Sequence, residues 1–99
     1  MAFKVILLPR AIRGFDKIIA YIAGNWTDRE VTNFIDETNR FLEVLSTHPE
    51  ILERSAKNKN LHRGPLNPLT IVTYRVRPLK NEIEIVNIRG ARQKPLKWQ

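Results

Sequence analysis

Residues 3–8, Phe-Lys-Val-Ile-Leu-Leu, form an apolar, partly β-branched run that Pro9 stops. Such a run predicts a first strand, buried on both faces. Over residues 9–23 the period becomes helical. Ala11, Phe15, Ile18 and Ile22 recur at spacings of three and four, and Ile12 and Ile19 widen the stripe. Pro9 suits a first helical turn and Gly24-Asn25 a C-terminal stop. Thr27-Asp28-Arg29-Glu30 then has the form of a capping box, in which hydroxyl and carboxylate satisfy each other's backbone amides. Val31, Phe34, Ile35, Thr38, Phe41, Leu42 and Leu45 hold one face of a second helix, which ends at Ser46-Thr47-His48-Pro49 because proline disfavours helix in the residue before it. A joint of two to four residues makes the pair an αα-hairpin.

Residues 49–68 are less regular. Residues 50–55 suit a short helical turn, and Asn58, Asn60, Gly64, Pro65, Asn67 and Pro68 read as loop formers around a short strand at 59–63. Residues 69–77 alternate: Val72, Tyr74 and Val76 face one way, and Ile71, Thr73, Arg75 and Arg77 the other. Residues 78–81 make a turn and 82–89 the returning strand, rich in Ile and Val, which Gly90 breaks. The order β-α-α-β-β-β predicts an α+β fold: an N-terminal strand, and a helical hairpin packed on one face of a twisted antiparallel sheet.

Composition narrows this picture. Ninety-nine residues, 42% of them apolar, make one domain (1–99) with one modest core. The absence of cysteine removes disulfides, thiol catalysis and thiolate metal sites. No metal-ligand spacing and no glycine-rich phosphate loop occurs, so no cofactor is expected. There is no apolar run long enough for a signal peptide or a membrane span, which points to the cytoplasm and away from membrane partners.

Charge changes the picture most. Residues 1–53 carry six Lys/Arg against eight acids, a net −2, whereas residues 54–99 carry eleven against two, a net +9. A cationic sheet on a near-neutral helical half predicts a surface that meets phosphates or an acidic protein. The candidate binding groups are Arg63, Arg75, Arg77, Arg89 and Lys94. Lys57 and Lys59 alternate just before the short strand, and Arg92 follows the last one. In RNA cleavage a 2′-hydroxyl attacks the adjacent phosphate; fixed cations stabilise the charge that builds on the phosphorane, and a lysine can move a proton. A solvated basic face is the plainer alternative. His48 and His62 read as surface or turn residues, and Glu82 and Glu84 as solvated carboxylates or cross-strand partners of Arg75 and Arg77.

The order and spacing of several segments resemble the RelE/ParE superfamily of bacterial type II toxins over about residues 3–93. They are Val5 to Ala11, Phe15 to Ile22, Phe34 with Leu42, Leu45 and Pro49, Val72 to Val76, and Ile83 to Ile88 running into Arg89-Gly90-Ala91-Arg92. The resemblance implies a growth-arresting toxin neutralised by a cognate acidic antitoxin. It divides on mechanism. RelE-type members cut mRNA on the ribosome with clustered Lys and Arg, as metal-independent endoribonucleases, and Lys57, Lys59 and Arg92 are similar to that set. ParE-type members poison DNA gyrase, and Tyr21 with the Arg-Gly-X-Arg ending leans that way. Ile71 stands about where the ribonucleases carry an arginine, and Arg89 where many relatives carry histidine. A non-toxic nucleic-acid-binding module, or a degraded toxin, is the remaining alternative.

Overall fold

The structure, a computed structural model, describes residues 2–58 and 60–91. Strand β1 (Lys4–Leu7) leads into helix α1 (Pro9–Asn25), and after Trp26 and Thr27 the chain enters helix α2 (Asp28–Thr47). Strands β2 (Leu61–Asn67), β3 (Thr70–Arg77) and β4 (Glu82–Gly90) follow, with a 3-10 turn at Pro78–Lys80. Pro9 starts α1 as expected. The helix runs through Gly24 to Asn25, whose side chain donates to the Tyr21 carbonyl at 2.8 Å. At the start of α2 the Glu30 carboxylate accepts from the Thr27 amide at 3.1 Å and from the Thr27 hydroxyl. That hydroxyl bond is the main reason the Glu30 pKa is lowered.

The four strands lie in the order β1-β4-β3-β2. The two hairpin pairings are antiparallel, and β1 runs parallel to β4, from Lys4 opposite Glu82 to Leu7 opposite Ile85. The sheet is therefore mixed. The helical hairpin carries the chain away and back, so the N-terminal strand enters beside the last strand in the same direction. It takes an edge, which leaves β1 half-buried instead of covered on both faces. Val5 and Leu7 pack against the core, and Ile6 falls on the opposite side.

Both helices cover one face of the sheet. Ala11, Ile18, Ile22, Phe34 and Leu45 meet Val72, Tyr74, Ile83, Ile85 and Ile88, and the Phe15 and Phe34 rings stack at 5.4 Å between the helices. Gly14 sets the closest approach of α1 to β4: a Cβ there would lie 1.8 Å from the Ile88 carbonyl oxygen. In β4 the enclosed positions are 83, 85 and then 88. Register explains the skipped step, because Thr73 pairs Asn87 and Tyr74 pairs Ile85, leaving Val86 as a bulge.

The irregular stretch differs from its sequence reading in two ways. First, the strand extends to Asn67 through Gly64 and Pro65, which an edge strand tolerates because one side of its backbone needs no partner. Second, residues 50–55 form no helix. They lie along β2 through Ser55 N to Leu61 O (2.7 Å) and Arg63 N to Glu53 O (3.0 Å). This run is pinned from inside. The Tyr74 hydroxyl donates to the Pro49 carbonyl at 2.7 Å and accepts from the Leu52 amide at 3.2 Å. His62 is buried, not a surface residue: its ring stacks on Tyr74 at 4.9 Å, and its Nδ1 lies 2.8 Å from the Leu52 carbonyl, to which it donates.

Candidate functional site

The face of the sheet away from the helices is the candidate site. Residues directly opposite each other in adjacent strands share a face, so register alone lays it out. One row holds Pro65, Ile71 and Arg89, and the next Arg63, Thr73 and Asn87. A third holds Leu61, Arg75, Glu84 and Ile6, and the last Arg77, Glu82 and Lys4. Arg63, Arg75, Arg77 and Arg89 thus share one face; alternation along β3 puts Arg75 and Arg77 there together, and the bulge at Val86 turns Arg89 to the same side. Lys4 joins them. Sequence reading missed it because a parallel edge strand leaves no hairpin signal to fix its neighbour.

These cations are not equivalent. The Glu84 carboxylate accepts from Arg75 Nε at 3.0 Å and from Arg75 Nη2 at 2.7 Å, and Arg77 Nη1 lies 3.5 Å away. One acid therefore holds two guanidiniums. The Arg75 hydrogen bond is the chief reason the Glu84 carboxyl titrates below its usual range. Arg63, Arg89 and Lys57 have no carboxylate partner among the described residues. Arg54 lies 3.9 Å from Glu50 in an exposed pair of little energetic weight.

Replacing Glu84 by glutamine should release Arg75 and Arg77, and the variant should elute from heparin at higher salt than the parent. Its stability cost has a defined pH window. The folded-state carboxyl is depressed, so the native ion pair contributes fully above the unfolded pKa, near the usual 4.5, and is lost as pH falls through the lower folded value. Urea unfolding should separate parent and variant at pH 7, and the gap should close in acid.

A shallow cleft of about 580 Å³ opens at the β2 edge of this face. Lys57, Arg54, Glu53, Arg63 and Ile71 line it. Lys57 and Arg63, far apart in role in the sequence reading, are thus brought to one place. The means is the 50–58 run, which Tyr74 and His62 tie against β2. Arg54 is an addition that only the bridge between Arg54 and His62 reveals. Ile71 puts an apolar side chain beside the cations. Lys59, Arg92 and Lys94 lie outside the described residues. Neither histidine joins the site, since His62 sits under Tyr74 on the helix side and His48 caps the end of α2.

Chemically, the open face offers guanidinium and ammonium donors for phosphate or carboxylate, with an apolar spot at Ile71 and one carboxylate, Glu53, in the cleft beside Lys57 and Arg63. Those residues include no group of three or more potential metal ligands and no helix long and apolar enough to cross a membrane.

Comparison with known proteins agrees with this architecture. Among solved structures, the chromosomal ParDE toxin–antitoxin system of Pseudomonas aeruginosa superposes with a TM-score of 0.73 at 13% identity, over 90% of this chain and 96% of that one. The RelBE2 toxin–antitoxin complex of Mycobacterium tuberculosis gives 0.65 at 12% identity, over 91% and 99%. The YoeB dimer of Staphylococcus aureus gives 0.59 at 14% identity, over 90% and 97%. At such identities the likeness is one of fold. No curated protein matches the chain in sequence. The family model for the ParE toxin of the type II toxin–antitoxin system parDE matches residues 5–95. With that match spanning nearly the whole domain, the chain belongs to the ParE toxin family of type II toxin–antitoxin systems.

Proposed function

We propose that this chain is the growth-arresting toxin of a type II pair and that it acts by binding, with DNA gyrase as its target. The observation that carries this reading is the make-up of the open face. Glu84 occupies Arg75 and Arg77, and apolar Ile71 stands beside Arg89 with Arg63 in the next row, neither arginine having a carboxylate partner among the described residues, so the face suits docking to an acidic surface better than proton transfer. A supercoiling assay tests it. Micromolar wild-type protein should inhibit gyrase and trap cleavage complexes. The double charge reversal Arg63→Glu/Arg89→Glu should weaken inhibition by about ten-fold, the scale of one or two partly exposed charge contacts. Unimpeded supercoiling with the wild-type protein would count against the reading.

One observation favours a second reading, ribosome-dependent mRNA cleavage: Lys57 and Arg63 line a single cleft, at the segment that also carries Lys59. Here Lys57, Lys59 and Arg92 would stabilise the phosphorane and move protons, without a metal. Toeprinting on translating ribosomes should then show cuts that vanish in Lys57→Ala/Lys59→Ala. Intact mRNA with the wild-type protein removes this reading. If induced expression leaves growth untouched, both give way to a non-toxic nucleic-acid-binding module.

The partner proposed for either mechanism is an acidic antitoxin whose disordered segment folds over the cationic face. It should co-purify with the toxin, and high salt should weaken the complex.

A further inference from the structure

The rows of the open face carry five cations, Lys4, Arg63, Arg75, Arg77 and Arg89, and two acids, Glu82 and Glu84. The two acids differ. Glu82 makes no ion pair among the described residues. Glu84 stands on the interior strand β4, directly opposite Arg75, and takes two nitrogens of Arg75 and one of Arg77. Its side chain is 17% exposed, against 39% and 38% for the two arginines, so the acid is the fixed member of the group and the guanidiniums reach solvent. Ion pairs with partners this exposed add only modestly to stability, so folding alone does not call for an acid among these cations.

What Glu84 changes most is the class of ligand the face accepts. A nucleic-acid strand follows a run of cations, and each phosphate that a guanidinium neutralises adds both affinity and salt dependence. A carboxylate in the middle of such a run occupies two guanidiniums and repels the phosphate that would replace it. An acidic protein surface is less affected. Its carboxylates are discrete and can meet Arg63 and Arg89. The neutralised centre offers apolar contact, with half-buried Ile6 and Leu61 at the ends of the Glu84 row and Ile71 two rows away. A neutral, partly apolar centre inside a charged rim is the anatomy of a protein–protein interface. We propose that Glu84 is the specificity-determining residue of this face, an internal counter-ion that withholds Arg75 and Arg77 from phosphate and leaves the face selective for an acidic protein over nucleic acid. It acts by disfavouring the wrong ligand and adds no contact to the right one. The inference rests on the binding reading above for its protein partner, and its nucleic-acid half is measured separately.

Fluorescence anisotropy of a labelled, mixed-sequence single-stranded RNA, titrated over a range of salt, tests this. Glu84→Gln keeps the side-chain shape and removes the charge. It should bind the RNA about ten-fold more tightly, and the slope of log K against log salt should steepen by about 1.4, two phosphate contacts at roughly 0.7 each. Glu82→Gln makes the same change in net charge on the same face and should leave the slope at the parent's value. Arg77→Gln should cost the parent less than about two-fold in RNA affinity and should remove much of the gain in the Glu84→Gln protein. Gyrase inhibition by Glu84→Gln should be no stronger than the parent's. Three results would overturn the proposal: unchanged RNA affinity and slope in a folded Glu84→Gln protein, an equal gain from Glu82→Gln, or gyrase inhibition that strengthens in step with RNA binding. The second would make net charge alone the cause, and the third would mean that the acid masks the face from every acidic ligand. If Glu84→Gln does not fold, Arg77→Gln in the parent decides, since an RNA affinity about ten-fold lower would mean that Arg77 is already open to phosphate. If the parent leaves gyrase uninhibited, the reading of its target falls and the RNA titrations alone decide this inference.

Discussion

Gly14→Ala should lower the thermal unfolding midpoint by about 10–20 °C, from an overpacking cost of roughly 2–3 kcal/mol in a domain of this size. Helix propensity argues the other way, since alanine in a helix interior is favoured over glycine by about 1 kcal/mol. Packing decides the sign. The added Cβ would lie 1.8 Å from the Ile88 carbonyl oxygen, and Ile88 is fully buried and paired with Val72 of β3. Neither the helix nor β4 can move without displacing the core between them. Gly24 supplies the control in the same helix. It is exposed and has nothing within 4 Å of its would-be Cβ, so Gly24→Ala should stabilise by up to about 1 kcal/mol. Differential scanning calorimetry of the two variants checks both signs, and a Gly14→Ala midpoint at or above the parent's would contradict the packing account.

The second large effect is expected at Tyr74. Burial raises its pKa, so the phenol stays protonated and donates to Pro49 O while accepting from Leu52 N. Tyr74→Phe keeps the ring stacked on His62 but strands that amide and that carbonyl beneath the 50–58 run. The cost should be about 1–3 kcal/mol, read as a lower urea midpoint with an unchanged slope. The loss should be local as well as global. Amide exchange should accelerate at Leu52, Ser55 and Lys57 more than in α2, because the lost bonds hold the run that carries Lys57 to the cleft. Toxicity should fall with it, although residue 74 lies on the helix side of β3.

Much of the fold was legible because its signals are local. The stripe from Ala11 to Ile22, the Thr27–Glu30 cap and the alternation from Ile71 to Arg77 each lie within one element, and each appears as read. What escaped reading depends on partners distant in sequence. His62 looks like a loop residue until Tyr74, twelve positions on, stacks against it. Residues 3–8 look doubly buried because sequence shows their apolarity but not their place at the sheet edge. Val86 breaks the β4 alternation through a bulge that only pairing with β3 defines. The site followed the same rule. Face-sharing of Arg75 and Arg77 follows from alternation, and their pairing with Glu84 from cross-strand chemistry, whereas Arg89 joins them only through the Val86 bulge. The meeting of Lys57 with Arg63 and Ile71 depends on a tertiary tie through Tyr74.

The parallel pairing of β1 with β4 also sets an order of events during synthesis. The Lys4 amide bonds to Asn81 O at 3.0 Å, and the Asn81 side chain donates to Ala2 O across 79 positions. β4 is an interior strand of the sheet, yet among the described residues it is the last strand made. A nascent chain can form its helical hairpin early, but the sheet has no centre until residues 82–90 have left the ribosome, and closing so long a loop comes late in folding. Arg89 and its row neighbours on β2 and β3 then come together in a single step. A translation product interrupted before β4 would hold helices and a loose hairpin without the cationic face, so that face exists only once residues 82–90 have been made.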